Sequence, residues 1–246
     1  MKILVVIPAR YGSTRFEGKV LAKDTGKFLV QHTYERALAA KSADKVLIAT
    51  DSDKVLRACE SFTADCVMTS PEHQSGTDRI AEAVRDVEAD IIVNLQADEP
   101  AIEPANIDYV ANLLTDYSQA DMSTLVAEFE NKEQVADPNI VKAIVDINGR
   151  AIYFSRSVIP YHRDSEGIGP AGEYLRHLGI YAYRKDFLLE FTSLGQSKLE
   201  KAEKLEQLRA IENGFTIIAG KVAGAWEGID TPEHYKEFVK RTAKQY

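Results

Sequence analysis

The stretch Ile3-Leu4-Val5-Val6-Ile7-Pro8-Ala9-Arg10-Tyr11-Gly12 decides the fold, because an apolar run leads directly into a loop that carries charge and glycine. A short run rich in Val and Ile is typical of a strand that is buried on both faces. The loop continues through Ser13 to Lys19 and Leu21. A buried strand followed by a cationic, glycine-bearing loop indicates an α/β protein that binds an anion at the carboxyl end of its sheet.

Apolar runs and segments with helical periodicity alternate through the first half of the chain. The predicted strands are Ile3–Ile7, Val46–Ala49, Cys66–Met68 and Ile91–Leu95, and the predicted helices are Phe28–Ala40, Lys54–Phe62, Thr77–Val87 and Ile107–Tyr117. This alternation predicts a mostly parallel, doubly wound sheet covered by helices. Because no linker or low-complexity segment interrupts the chain, we expect one continuous domain.

The second half of the chain does not continue the regular alternation of strands and helices. Two predicted strands, Ile140–Val145 and Ala151–Phe154, flank Asn148-Gly149, which indicates a hairpin with a type I′ turn. A strand at Leu178–Tyr183, a helix at Lys201–Glu212 and a strand at Phe215–Val222 are predicted to follow. Thr231 and Pro232 predict the N-cap and the first residue of a closing helix.

Composition and charge exclude several classes of function. The 246 residues carry a formal net charge of -8, which argues against binding along a nucleic-acid backbone. Cys59 and Cys66 lack the spacing of zinc ligands or of a disulfide scaffold, so we expect reduced, buried thiols. The first apolar run is too short for a signal peptide or a membrane span. We therefore expect a cytoplasmic protein with neither a nucleic-acid nor a membrane partner.

The opening loop has the composition of a polyphosphate site. Gly12 and Gly18 allow backbone N–H groups to approach an anion, and Arg10 and Lys19 supply positive charge. The loop matches neither the dinucleotide-binding fingerprint nor the P-loop, which disfavours both of those functions. A solvated basic loop is the alternative that residue types alone leave open.

Carboxylates follow the predicted strand Ile91–Leu95 at the same edge of the sheet. Asp98 and Glu99 suit Mg²⁺, which prefers hard oxygen ligands together with substrate phosphates. Asp98-Glu99-Pro100 is equally typical of a turn that precedes a helix. The neighbouring cationic loop favours the metal interpretation.

A series of ordered motifs resembles the family of the 3-deoxy-manno-octulosonate cytidylyltransferases. The motifs are IPARYGSTR...GK...L, ATDS, HQSGTDR, NLQADEP, YFSR, IP, HLGIYAY, LEQLR and GIDTPE, between Ile3 and Glu233. The resemblance implies an α/β fold like that of nucleotide-diphospho-sugar transferases, with a hairpin-containing subregion for sugar binding and dimerisation. It also implies that CTP and 3-deoxy-D-manno-octulosonate (Kdo) give CMP-Kdo and pyrophosphate with Mg²⁺, which activates the sugar for lipopolysaccharide biosynthesis.

The resemblance also implies roles for the residues that match its motifs. The catalytic residues would be Arg10, Lys19, Asp98 and Asp230, of which the two aspartates would bind the metal. The nucleotide contacts would be Pro8, Ala9, Arg10, Ser13, Lys19, Ser75, Gly76, Thr77 and Arg79. The sugar contacts would be Gln96, Arg156, His177, Tyr181, Glu206 and Gln207.

Residue types alone allow plainer roles for several of these side chains. Thr77 suits the N-cap of a helix over Asp78–Val87. His177 and Tyr181 suit the core of a strand. Glu206 and Gln207 suit one face of a solvated helix.

The family also implies an organisation for the chain. One nucleotidyltransferase domain would span residues 1–246, with residues 1–130 mainly binding CTP and residues 131–246 mainly binding sugar and forming a homodimer. The hairpin and the segment Tyr153–His162 would supply the dimer contact. The motifs do not distinguish Kdo from an octulosonate with a changed terminal substituent.

Two departures from the family's pattern affect the nucleotide site. Phe16-Glu17-Gly18-Lys19-Val20-Leu21 stands where the family usually has Leu-Pro-Gly-Lys-Pro-Leu, so that two prolines are missing. Because proline restricts the unfolded loop, we expect a less pre-organised loop and weaker CTP binding. Ala97 stands where glycine is common beside the metal aspartate, and its methyl group adds bulk there.

Two other classes of function fit the residues less well. Glycosyltransferases with a similar sheet usually bind metal through an Asp-x-Asp motif, which Asp98-Glu99-Pro100 does not match. A non-catalytic relative should have lost Arg10, Lys19, Asp98 or Asp230, and all four are present.

Overall fold

The computed structural model describes residues 1–12, 16–226 and 228–243, and strands and helices alternate along most of them. The strands are β1 (Ile3–Pro8), β2 (Lys45–Thr50), β3 (Cys66–Met68), β4 (Ile91–Asn94), β5 (Met122–Glu128), β6 (Lys142–Val145), β7 (Ala151–Ser155), β8 (Leu175–Arg184) and β9 (Ile217–Val222). The helices are α1 (Leu29–Leu38), α2 (Asp53–Ser61), α3 (Gly76–Val84), α4 (Pro104–Asp116), α5 (Lys132–Ala136), α6 (Lys185–Ser193), α7 (Lys198–Glu203), α8 (Leu208–Glu212) and α9 (Pro232–Thr242).

The chain forms two compact units. The first unit contains Met1–Asp108 and Trp226–Tyr246, and the second contains Tyr109–Ala225. Among the described residues, no helix is long and apolar enough to cross a membrane. The assignment of residues 1–130 and 131–246 to two halves of one domain stays a prediction.

The first unit contains a parallel sheet in the strand order β3-β2-β1-β4. Every residue of β1 is buried, because the strand is paired on both sides and helix α3 packs against it. The predicted α/β class and the four predicted strands of this half are confirmed. Since parallel strands all point the same way, the segments after Pro8, Thr50 and Asn94 leave the sheet at one edge.

An aromatic contact anchors the opening loop at the place where the family's prolines are missing. Phe16 packs with Tyr235 of α9 at a ring-centroid distance of 5.7 Å. The hydroxyl of Tyr235 accepts a hydrogen bond of 2.8 Å from the backbone N–H of Asp24. Gly18 has a φ of 66° and leads into a 3-10 helix over Lys19–Leu21. The loop is therefore held from outside by α9, although the expected weaker CTP binding stays a prediction.

The second unit is built around β5. This strand pairs in parallel with β9 and antiparallel with β8, and the hairpin of β6 and β7 joins β8 through β6. The predicted hairpin is confirmed, but its predicted type I′ turn is wrong. Such a turn needs positive φ at both central residues, whereas in the described turn Gly149 has φ of 83° and Asn148 does not have positive φ. The carboxylate of Asp146 instead accepts the N–H groups of Asn148 and Arg150 at 2.8 and 2.9 Å.

Two further predictions of local structure have clear outcomes. The single helix predicted over Lys201–Glu212 is wrong, because Lys204 adopts a left-handed conformation with φ of 55° and separates α7 from α8. The predicted start of the closing helix is confirmed. Thr231 Oγ1 accepts a hydrogen bond from the N–H of His234, and Pro232 is the first residue of α9.

The sequence patterns do not indicate β5, α5 or α6. Strand β5 has the sequence MSTLVAE, in which Ser123 and Thr124 interrupt the apolar run. Both residues are nevertheless fully buried. They are tolerated because their hydroxyl groups donate to backbone carbonyl oxygens, including Val110 O at 2.6 Å from Ser123 Oγ.

Candidate active site

A cleft of about 210 Å³ opens in the first unit, beside the carboxyl ends of β1 and β4. Its walls are formed by Pro8, Arg10, His73, Gln74, Ser75, Gly76, Arg79 and Gln96. All of these except His73 and Gln74 are among the site residues predicted from the sequence. His73 and Gln74 belong to the HQSGTDR motif, so their position directly before Ser75 is the signal that could have identified them.

The beginning of α3 forms one wall of the cleft. Gly76 lies so close to β1 that a Cβ atom there would be 3.2 Å from Cγ of Pro8 and 3.8 Å from Oε1 of Gln96. Ser75 caps the helix by accepting a hydrogen bond of 3.1 Å from the N–H of Asp78. The expected N-cap at Thr77 is therefore wrong, because Ser75 caps the helix and α3 begins at Gly76, two residues before the expected start at Asp78. The N-terminus of α3 adds partial positive charge to this wall.

Arg79 lies in the same wall and is held by two neighbours. Its guanidinium donates to Asp51 Oδ2 at 2.7 Å and to Thr69 Oγ1 at 2.6 Å. Asp51 follows β2 and Thr69 follows β3, whereas Arg79 belongs to α3 and is only 3% exposed. The ion pair therefore ties the ends of two strands to the helix that borders the cleft.

A second polar contact fixes the loop before α3. A ring nitrogen of His73 is hydrogen-bonded to Glu82, which also accepts the N–H of Ser70 at 3.0 Å. The hydrogen bond from His73 and that from the Ser70 backbone hold the pKa of Glu82 below its usual value. The segment from Ser70 to Ser75 is thus attached to α3 through Glu82.

Charged side chains from three distant parts of the chain meet at the opening loop. Lys19 Nζ lies 2.5 Å from Asp98 Oδ2 and 3.6 Å from Asp230 Oδ1. The N–H of Ile229 donates to the carbonyl oxygen of Asp98 at 2.8 Å, which holds the two acidic segments together. The Lys19 side chain is only 11% exposed, whereas those of Asp98 and Asp230 are 27% and 47% exposed. Both carboxylates therefore remain accessible to a ligand.

The chemistry of these two carboxylates fits Mg²⁺. Within residues 1–12, 16–226 and 228–243, no group of three or more His, Cys, Asp and Glu side chains forms a complete metal cluster. Mg²⁺ is usually held by one or two carboxylates with water and substrate phosphates, so two carboxylates such as Asp98 and Asp230 would suffice as protein ligands.

Ala97 fits beside Asp98 without strain. Its φ is not positive, so the position does not require glycine. The residue is buried, and its carbonyl oxygen accepts a hydrogen bond of 3.0 Å from Thr33 Oγ1. The added methyl group is therefore part of the packing beneath the carboxylates.

The nucleotide residues predicted in the first unit are close to β1. Pro8 is the last residue of β1, and the N–H of Ala9 continues the pairing by donating to Ala49 O at 2.8 Å. Arg10 is exposed at the mouth of the cleft. Ser13, together with Thr14 and Arg15, lies outside the described residues.

A second group of predicted site residues lies in the second unit. His177 contacts Phe154 and Tyr181, with ring centroids 5.0 and 5.4 Å apart. Burial lowers the pKa of His177 to about 3, so its ring is neutral. Burial, with smaller contributions from Tyr183 and Glu206, raises the pKa of Tyr181 well above its usual value. Tyr181 therefore keeps its phenolic proton.

The other predicted sugar residues differ in how they are held. The guanidinium of Arg156 donates to the carbonyl oxygens of Glu203 at 2.7 Å and Pro138 at 3.0 Å. Glu206 lies 3.6 Å from the guanidinium of Arg209. Gln207 is 4% exposed, and its Nε2 has no hydrogen-bond partner within the described part of the chain. A buried amide in this state is suited to a ligand. Gln96 belongs to the first unit, where its Nε2 donates to Asn94 Oδ1.

The chain is similar over its whole length to enzymes of known activity. Residues 4–218 match the Cytidylyltransferase family. The 3-deoxy-manno-octulosonate cytidylyltransferase of Rhodopirellula baltica is 43% identical with full coverage of both chains, and that of Solibacter usitatus is 47% identical over 94% of this chain and 91% of its own. A solved structure of CMP:2-keto-3-deoxy-manno-octonic acid synthetase complexed with CTP superposes with a TM-score of 0.94, 41% identity and full coverage of both chains.

Removing the acidic partner of Arg79 should destabilise the first unit. Asp51→Asn leaves a buried guanidinium without its counter-charge, so we expect the free energy of unfolding to fall by about 3 kcal/mol. Urea denaturation followed by circular dichroism measures the change. Glu60→Gln, which alters an exposed acid in α2, is the control and should change stability by less than about 0.5 kcal/mol. An Asp51→Asn variant as stable as this control would contradict a structural role for the ion pair.

Proposed function

We propose that the chain, which belongs to the family of the 3-deoxy-manno-octulosonate cytidylyltransferases, transfers the CMP group of CTP to Kdo and releases pyrophosphate. The observation that carries this conclusion is the similarity of 43% identity over the full length of both chains. The cleft and the meeting of Lys19, Asp98 and Asp230 support it, because they supply a place for a nucleotide and for its phosphates. The product is the activated sugar used for lipopolysaccharide biosynthesis.

The cleft beside α3 is the proposed site of the cytosine ring. Ser75, Gly76 and Thr77 offer backbone and hydroxyl groups at a helix start that approaches Pro8 closely. The ion pair of Arg79 with Asp51 and the hydrogen bond between His73 and Glu82 hold this wall in place before the nucleotide arrives. A wall with fixed donors and acceptors distinguishes bases by their hydrogen-bonding edges. Arg79 is buried behind this wall, so its proposed contribution to nucleotide binding is to hold α3 in position.

The opening loop is the proposed site of the CTP phosphates. Arg10 and Lys19 supply the positive charge, and Ala9 and Ser13 supply hydrogen-bond donors. Lys19 has a second task in the structure, since its ammonium group lies between two carboxylates and reduces their repulsion. Cations aimed at the phosphates stabilise the charge that develops as pyrophosphate leaves.

Asp98 and Asp230 are the proposed ligands of Mg²⁺. When bound, the ion would neutralise phosphate charge and favour the ionised form of an attacking hydroxyl group. The chain itself holds the two carboxylates in position. The backbone hydrogen bond from Ile229 fixes Asp98, and the start of α9 fixes Asp230. The attacking group is the anomeric hydroxyl of the sugar, in line with the leaving pyrophosphate, and we assign no general base.

Arg156, His177, Tyr181, Glu206 and Gln207 are the proposed sugar contacts in the second unit, and the sugar role of Gln96 stays a prediction. The unpartnered Nε2 of Gln207 and the protonated hydroxyl of Tyr181 provide donors, while the carboxylate of Glu206 provides an acceptor. A mixture of donors and acceptors suits a polyhydroxylated acid. Arg156 would contribute positive charge towards the carboxylate of the sugar.

Cytoplasmic location and a homodimer complete the proposal. Cys59 and Cys66 are both free, which suits a reducing compartment, although only Cys59 is fully buried and the expected burial of Cys66 is wrong. In the second unit, Ile147, Ile152 and Tyr161 expose large apolar side chains. Ile147 and Ile152 lie in the hairpin and Tyr161 lies in the segment that follows it, and exposed apolar side chains favour contact with a second copy of the chain.

The activity is tested by pyrophosphate release from CTP, Kdo and Mg²⁺, with each component omitted in turn. We expect release only when all three are present, because the transfer needs both substrates and charge neutralisation. UTP in place of CTP should lower the specificity constant by at least about 10²-fold, since the cytosine wall loses hydrogen-bond partners. Equal rates with CTP and UTP would contradict the assignment of the cleft to the base. Absence of release with all components would contradict the proposed function.

Asp230→Asn tests the metal site. Because Asp230 is half exposed, we expect the free energy of unfolding to change by less than about 1 kcal/mol, which is the size of a helix-terminus effect. Turnover should fall by about 10²-fold or more at any CTP concentration, with partial recovery at raised Mg²⁺ or with Mn²⁺. Glu233→Gln, an exposed acid in the first turn of α9, is the matched control and should keep its activity. Loss of stability with a full rate per folded molecule would show that Asp230 is only a capping acid.

Sedimentation velocity tests the homodimer. The native chain should sediment as a dimer, and the double variant Ile147→Ser, Ile152→Ser should shift it towards monomer, because both side chains would lose apolar burial between copies. Leu38→Ser, which changes an exposed apolar residue of the first unit, is the control and should leave the dimer intact. A native chain that remains a monomer at micromolar concentration would contradict this part of the proposal.

A further inference from the structure

A buried hydroxyl in β5 lies at an irregularity of the second unit. The pairing of β5 with β8 shifts register between Thr124 and Leu125. At this point Thr124 Oγ1 lies 2.8 Å from the carbonyl oxygen of Ile180, 3.1 Å from that of Leu178 and 3.0 Å from Nε2 of His177. Thr124 is fully buried, so these three atoms are its immediate polar surroundings.

The direction of the Thr124 hydroxyl proton determines how its three polar contacts are satisfied. A hydroxyl group has one proton to donate and two lone pairs that accept. The oxygens of Leu178 and Ile180 can only accept, so the proton points to their side, towards the nearer oxygen of Ile180 or shared between the two. If the proton pointed to His177 instead, three oxygen acceptors would face one another in a buried site, which is costly. Oγ1 therefore accepts a hydrogen bond from His177 Nε2.

This arrangement determines which nitrogen of His177 carries the proton. Burial lowers the pKa of the ring to about 3, so the imidazole is neutral and has one N–H group. Because Nε2 must donate to Thr124, the proton is on Nε2 and Nδ1 is an acceptor. Phe154 and Tyr181 contact the ring and restrict its rotation.

We propose that Thr124 is a positioning residue that fixes His177 in the Nε2–H tautomer, so that Nδ1 accepts a hydrogen bond from a hydroxyl group of the acidic sugar. The inference rests on the proposed function, which places His177 in the sugar pocket. Its consequence is selectivity, since a bare ring nitrogen attracts hydroxyl donors and repels other acceptors, including the sugar's own carboxylate.

The tautomer is read directly by nuclear magnetic resonance. The full chain, labelled with ¹⁵N-histidine and free of substrate, gives ring correlations for its five histidines. The set that disappears in His177→Gln belongs to His177. We expect a protonated Nε2 and a bare Nδ1 that persist from about pH 6 to 8, because the ring is neutral throughout this range. A proton on Nδ1, or on both nitrogens, would overturn the inference.

Variants at Thr124 then separate positioning from simple packing. Thr124→Val keeps the shape but removes the acceptor for Nε2, so the His177 signals should shift towards a mixture of tautomers. The KM for Kdo should rise about tenfold, while kcat and the KM for CTP stay within about twofold, since only a sugar contact weakens. Thr124→Ser restores the hydroxyl and should recover both the tautomer and the KM for Kdo.

Ser123→Ala is the matched control. Ser123 is the neighbouring buried hydroxyl of β5 and donates to Val110 O, with no hydrogen bond to His177. The Ser123→Ala variant should lower the midpoint of thermal unfolding about as much as Thr124→Val does. It should leave the KM for Kdo and the His177 signals unchanged. The inference would be overturned if Ser123→Ala raised the KM for Kdo as much as Thr124→Val does. It would also be overturned if Thr124→Val left the ring signals of His177 unaltered. If Thr124→Val does not fold, two measurements still test the inference. They are the tautomer of His177 in the native chain and the tautomer and KM for Kdo of Thr124→Ser.

Failure of this inference differs from failure of the proposed function. A native chain that turns over CTP and Kdo but carries the His177 proton on Nδ1 contradicts only the role of Thr124. A native chain with the Nε2–H tautomer that releases no pyrophosphate with Kdo contradicts the proposed function on which the sugar contact depends.

Discussion

Parallel pairing of β1 with β2 and β4 is the constraint on which the candidate site of the first unit depends. Because the three strands run in the same direction, the segments that follow Pro8, Thr50 and Asn94 emerge at one edge of the sheet. Chain direction alone therefore brings a cationic loop and an acidic turn together. Helix α3 then completes the cleft, since Gly76 is small enough to approach Pro8.

Two buried cations at this edge of the sheet, Arg79 and Lys19, both pair with aspartates, but those aspartates differ in their exposure to solvent. Arg79 and Asp51 are both largely withdrawn from solvent, and the pair ties strand ends to a helix. Lys19 is equally withdrawn, but its partners Asp98 and Asp230 are partly exposed and can exchange one cation for another. Local positive charge in an acidic chain thus serves two purposes, of which one is structural and the other is available to a ligand.

The sequence predicted those elements whose signals are local or strongly periodic. β1 through β4 followed from apolar runs, and the start of α9 followed from Thr231 and Pro232. β5 did not, because Ser123 and Thr124 are buried through hydrogen bonds to carbonyl groups that no local pattern indicates. The break at Lys204 was missed for a similar reason, since its residue type does not indicate the left-handed conformation that ends α7. The meeting of Asp98 and Asp230 was expected only from the family resemblance, because residues so far apart in sequence have no shared periodicity.

The two groups of candidate residues solve different chemical problems. Phosphates carry charge, so Arg10, Lys19 and the carboxylates of the first unit suit the proposed phosphate and metal sites. A sugar carries many hydroxyl groups, which are recognised by direction more than by charge. Burial keeps His177 neutral and Tyr181 protonated, so neither side chain changes its donors and acceptors across the physiological pH range. Desolvation of these two side chains therefore gives the second unit a fixed pattern of donors and acceptors.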